Sequence, residues 1–137
     1  MSFIDKNIEQ IKKGFEGEEL IRKIFIEKKI KFMQVDIMFK RHNKWCLGEI
    51  KTQEKFKSPP FDGHGLPQWQ IDRRIEFYKD TGIIPYLIVL DKIDNCIYIQ
   101  SLLKLMGLKK DIYKTKGNSP RTIFKIDNFD KMPLNNK

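Results

Sequence analysis

Val35-Asp36-Ile37-Met38-Phe39-Lys40-Arg41-His42-Asn43-Lys44-Trp45-Cys46-Leu47-Gly48-Glu49-Ile50-Lys51 reads as two strands around a tight turn. The strands are expected over residues 32–40 and 45–52. A two-residue turn at His42-Asn43 pairs Asp36 with Glu49, and Lys51 falls on the same face two residues on. The other face then pairs Val35 with Ile50, Ile37 with Gly48 and Phe39 with Cys46, apolar throughout, as a core-facing side should be. A slip of one residue would mix the faces. The turn lacks the glycine that such hairpins favour, although asparagine tolerates positive φ.

Two carboxylates opposed across a sheet repel each other. A cation between them removes the conflict, and two oxygen ligands with a lysine nearby suit metal-assisted phosphodiester hydrolysis. Asp36 and Glu49 would hold Mg²⁺, with the backbone carbonyl of Ile50 as a further donor. Lys51 would orient or deprotonate the attacking water, or stabilise phosphoryl charge; the sequence leaves these roles open. The competing reading is an exposed strand pair in which both acids meet lysines.

The chain has 137 residues, one domain's worth with a core, and 40% of them are hydrophobic. Lys and Arg number 27 against 18 Asp and Glu, a formal charge of +9. An acidic polymer is the expected partner, nucleic acid ahead of membrane, although a lysine-rich solvated surface would carry the same charge. Cys46 and Cys96 lie in apolar strand patterns and read as reduced core residues. The first residues carry no signal-peptide apolar region and no run approaches membrane length, which predicts a cytoplasmic location.

Around the hairpin, residues 5–28 have helical periodicity, with Gly14 and Gly17 expected to break the helix in two. Residues 53–66 read as a loop. Pro67 to Thr81 reads as a helix closed by Gly82. Ile84 to Asp91 is an apolar run suited to a strand buried on both faces. A turn at Asp94-Asn95, a strand from Cys96 to Gln100, a short helix Leu102–Met106 capped by Ser101, and a strand from Thr122 to Ile126 follow. The expected fold is mixed α/β, a mixed central sheet flanked by helices. The motif-bearing part is about residues 14–100, with 101–137 as accessory elements.

Glu18 is a third candidate carboxylate, three residues from both Phe15 and Ile21 on the apolar stripe. Gln70, early in the second helix, would bond an active-site water or a phosphate. Lys55, Lys57, Arg73, Arg74, Lys116 and Arg121 are candidate phosphate contacts. His64, in a glycine-rich loop, is either in reach of substrate or merely exposed.

With these residues in place, the pattern resembles the PD-(D/E)XK nucleases of restriction-endonuclease-like fold. The matching positions are Gly17-Glu18 opening a helix, Val35-Asp36, Glu49-Ile50-Lys51, and Gln70 before the Ile84–Leu90 strand. They span about residues 14 to 91. Val35 stands where the motif's name has proline. The likeness is to the small Holliday-junction-resolvase and phage-type branch. The resemblance implies an αβββαβ core and Mg²⁺- or Mn²⁺-dependent DNA cleavage. Asp36 and Glu49 would be metal ligands, Lys51 the catalytic lysine and Glu18 an auxiliary ligand. A resolvase would further be a homodimer. The alternatives are a basic nucleic-acid-binding module that retains the fold without catalysis, and a sequence-specific endonuclease of restriction or homing type.

Overall fold

The computed structural model describes residues 3–57, 61–113 and 120–134. The chain divides into two compact units, Met1–Gln34 and Val35–Lys137. In the first, α1 (Phe3–Glu27) is one continuous helix. Gly14 and Gly17 do not break it, because two glycines at about 1 kcal/mol each cannot outweigh 25 residues of propagation. Lys29 ends the helix in the left-handed region at φ 56°. The Lys29 and Ile30 amides donate back to Ile26 O and Phe25 O at 3.1 and 2.8 Å, the reciprocal pair of a Schellman cap.

The second unit is a mixed α/β structure. Along the chain lie β1 (Ile37–Arg41), β2 (Lys44–Thr52), β3 (Gly63–Pro67), α2 (Gln68–Thr81), β4 (Ile84–Asp91), β5 (Cys96–Ser101), α3 (Leu102–Met106), β6 (Lys110–Tyr113), β7 (Arg121–Lys125), a 3₁₀ turn (Ile126–Asn128) and β8 (Asp130–Pro133). A five-stranded sheet runs β1-β2-β4-β5-β8, and a three-stranded sheet runs β3-β7-β6. Among the described strands, β2 and β4 pair in parallel and the other ladders are antiparallel. The parallel pair is possible because α2 carries the chain back between them. α2 stops at Gly82, φ 76°, whose amide donates to Tyr78 O. Ser101 caps α3 as expected, its hydroxyl accepting from Lys104 N at 3.1 Å.

The larger sheet is curled. Arg41, ending β1 at one edge, reaches Asp130, starting β8 at the other, at 2.8 Å, and passes over the Tyr86 ring. Cys46, Tyr86 and Ile99 form a small cluster on that face, with Phe39, Ile84, Ile88 and Ile97 against it. The main core lies on the opposite face, where Leu87, Val89, Cys96 and Tyr98 meet Leu66 of β3, Ile71 of α2, Leu102 and Leu105 of α3, and Phe124 of β7. Both cysteines are buried free thiols, and burial pushes the Cys46 thiol pKa up.

Two expectations need correction. Residues 63–67 are a strand, not part of a loop. A Cβ at Gly63 or Gly65 would run into the carbonyl oxygens of Phe124 and Thr122, so the glycines that suggested a loop are what let β3 lie against β7. The first strand begins at Ile37, five residues later than the hydrophobic pattern suggests. Among the described residues, no helix is long and apolar enough to cross a membrane.

Candidate functional site

The hairpin has the expected register. Arg41 pairs with Lys44, Phe39 with Cys46 and Ile37 with Gly48. His42 and Asn43 both adopt positive φ, 53° and 63°, the conformation of a type I′ turn, whose twist matches the strands. Asp36 arrives just before the first ladder pair. Its carboxylate accepts the Ile50 amide at 2.8 Å. A side chain thus takes the amide that a longer β1 would have met with backbone, and Asp36 sits beside Glu49-Ile50.

Glu49 is a buried acid, 7% exposed, on the face that carries the main core. A buried carboxylate needs cationic or hydrogen-bonding partners. Arg74 Nη2 of α2 donates to Glu49 Oε2 at 2.5 Å, and Lys51 Nζ lies 3.4 Å from Oε1. Lys51 is two residues along β2, so strand alternation alone brings it to this face. Arg74 arrives because α2 crosses the sheet there. One helical turn earlier, the Gln70 amide oxygen is buried with no protein hydrogen-bond partner among the described residues.

The other expected residues are dispersed. Glu18 lies on α1 in the first unit, with an exposed side chain 3.9 Å from Arg22. Phe15 and Ile21, expected to flank it on a buried stripe, are also exposed. Lys57 is exposed, Arg73 is exposed on α2, and Arg121 starts β7 opposite Pro67. Lys116 lies outside the described residues. Lys55 is held by Asp94 at 2.7 Å, so its charge is already committed.

His64 overturns its expected exposure: it is fully buried. Its Nε2 lies 3.0 Å from Asp91 Oδ2 and its Nδ1 3.0 Å from Gln53 Oε1. Gln53 Oε1 also accepts the Gly65 amide at 3.1 Å. Asp91, equally buried, uses Oδ1 to accept the Ile93 and Asp94 amides at 3.1 and 2.9 Å. Tyr98 donates its hydroxyl to Asp94 at 2.5 Å. This network ties the end of β4 and the segment after β2 to β3 of the second sheet. The acid closing the apolar run at Asp91 was its one trace in the sequence. Arg74 was legible as a cation on the inner face of α2, but its partner was not.

Burial pushes the His64 pKa below its ordinary 6.5, against the pull of Asp91. As the pH falls, the unfolded chain therefore takes up the proton first. The associated stability is present above about pH 6.5 and is lost as the pH drops towards the folded-state value. Asp94, held low by the hydrogen bonds from Lys55 and Tyr98, loses its contribution only at more acid pH. The urea midpoint is expected to fall between pH 7 and pH 5.5. An unchanged midpoint would contradict a neutral, buried His64.

Asp36 and Glu49 supply oxygen donors only, Asp36 from just before β1, where it holds the amide of the residue after Glu49. Among the described residues no group of three or more His, Cys, Asp or Glu comes together. Mg²⁺ is bound through one or two carboxylates with water completing its shell, so the donor type fits. A metal there would compete with Arg74 and Lys51 for the oxygens of Glu49.

Comparison of the chain with protein-family models, curated proteins and solved structures gave no match. The fold defines the class, a mixed α/β protein.

Proposed function

We propose that the protein is a divalent-metal-dependent endodeoxyribonuclease of the PD-(D/E)XK type, with Asp36, Glu49 and Lys51 as its catalytic group. The observation that carries this reading is the hairpin: its two-residue turn sets the carboxylate of Asp36 on the Ile50 amide, beside Glu49, with Lys51 on the same face. The element order α-β-β-β-α-β from α1 to β4 is that of the restriction-endonuclease-like core, while β3 lies in the second sheet, and the charge of +9 suits a polyanion.

Asp36, Glu49 and the Ile50 carbonyl would hold Mg²⁺ or Mn²⁺, which supplies an activated water and neutralises phosphoryl charge when bound. Lys51 orients the water or stabilises the transition-state charge. Arg74 holds Glu49 in one orientation. The inward oxygen of Gln70 is an acceptor one turn from Arg74. A resolvase-like preference for branched DNA, and the dimer it entails, belong to the same reading.

The test is cleavage of junction, duplex and single-stranded DNA with Mg²⁺ and with chelator. Products that require the metal are expected; equal products with chelator would sink the proposal.

The Arg74–Glu49 contact favours a second reading, a non-catalytic DNA-binding module in which Glu49 is structural. Arg74→Ala separates the two. It leaves buried Glu49 with Lys51 alone and is expected to lower stability by about 2–3 kcal/mol, less than the loss on breaking a fully buried pair. If Glu49 also holds metal, millimolar Mg²⁺ restores part of that loss by binding the folded state. A deficit that Mg²⁺ does not touch supports the binding module.

A further inference from the structure

The chain has two tryptophans, Trp45 and Trp69, and both are about half exposed, 56% and 50%. Each has a cation against its ring: Lys40 lies 5.6 Å from the centroid of Trp45, and Arg73 lies 5.9 Å from that of Trp69. Trp69 matters more because of its position. It is on α2, next to Gln70, and Arg73 precedes Arg74. The helix therefore turns Arg74 inward to Glu49, with Gln70 Oε1 buried one turn earlier, and the adjoining pair, Trp69 and Arg73, outward. Five residues of helix separate Trp69 from Arg74, about 7.5 Å along the axis. That is about two steps of a nucleic-acid strand at 3.4 Å per step.

An exposed indole beside a guanidinium offers a π-face for a base and a charge for its phosphate. In duplex DNA the bases already stack on one another, so only an unpaired nucleotide can use such a face. We propose that Trp69, with Arg73, is a stacking platform for an unpaired base of single-stranded DNA, which leads the strand towards Glu49 and Lys51. The proposal rests on the nuclease reading for the direction the strand takes, but not for binding itself.

Trp45→Phe leaves Trp69 as the chain's sole tryptophan and makes its fluorescence a direct report. In chelator, oligo(dT) is expected to quench Trp69 emission on binding, and a duplex of equal length to leave it nearly unchanged. In the otherwise native chain, Trp69→Ala is expected to weaken oligo(dT) binding about tenfold and duplex binding less than twofold, while Trp69→Phe keeps most of the affinity. Oligo(dT) that binds without altering Trp69 emission, or a Trp69→Ala variant that weakens both DNAs equally, would overturn the platform. Quenching by a protein that cuts no DNA would sink the nuclease reading and leave the platform standing. Failure to bind oligo(dT) at all would end the platform whatever the cleavage assay reads on duplex.

Discussion

On the nuclease reading proposed above, Lys51→Ala is expected to lower the rate of metal-dependent DNA cleavage by about 10²–10⁴-fold while leaving DNA affinity nearly unchanged. Lys51 Nζ lies 3.4 Å from Glu49, and its backbone pairs with Val89 of β4, so its position is set by the sheet. A cation held in this way acts on the reacting phosphate without the cost of being ordered at each turnover. Affinity, by contrast, comes from many phosphate contacts, and the loss of one among 27 basic residues changes it little. Lys51→Arg keeps the charge but replaces a compact ammonium with a planar fork, and it should recover only part of the rate. Single-turnover cleavage and filter binding at fixed salt separate the two quantities. A Lys51→Ala enzyme that cuts at the native rate would remove Lys51 from the chemistry.

Asp91→Ala is expected to lower stability by about 3–5 kcal/mol, because it leaves several buried donors without an acceptor. Asp91 and His64 are both fully buried. Removing the carboxylate strips His64 Nε2 of its partner and leaves the Ile93 and Asp94 amides without the acceptor that closes the β4–β5 turn. The turn also positions Asp94, which holds Lys55 and Tyr98, so the loss spreads through connected groups. Asp91→Asn keeps an oxygen for the two amides and should cost about 1–2 kcal/mol. Urea unfolding with an unchanged slope measures both. A deficit below about 1 kcal/mol for Asp91→Ala would mean that the network follows the fold rather than holding it.

Lys51→Ala and Asp91→Ala probe neighbouring positions at one end of the parallel strand pair, since Lys51 pairs with Val89, two residues before Asp91. Glu49 and Lys51 lie within β2, and Asp91 ends β4. Lys51 bonds to Glu49 and Asp91 to His64, and a double-mutant cycle on stability and activity measures whether the two groups act independently.

The sequence by itself determined the hairpin that carries Asp36, Glu49 and Lys51, because strand alternation and a two-residue turn are local. The register followed, and His42-Asn43 adopted the positive φ it required without a glycine, but the apolar face expected to point to the core leaves Val35, Ile37 and Ile50 exposed, and the main core packs on the Glu49 face instead. It determined α2 and β4 for the same reason, since Pro67, Gly82 and the apolar run from Ile84 mark their own ends. The tertiary structure alone decided β3, whose glycines are explained only by the backbone of β7 some sixty residues on. It decided that His64 is a buried partner of Asp91 rather than a loop residue near substrate. It started β1 only at Ile37 and gave the Ile50 amide to Asp36. It also placed Arg74 on Glu49. The physical reason is common to all four: a side chain's own periodicity says which way it points, but what it meets there depends on where a distant segment crosses.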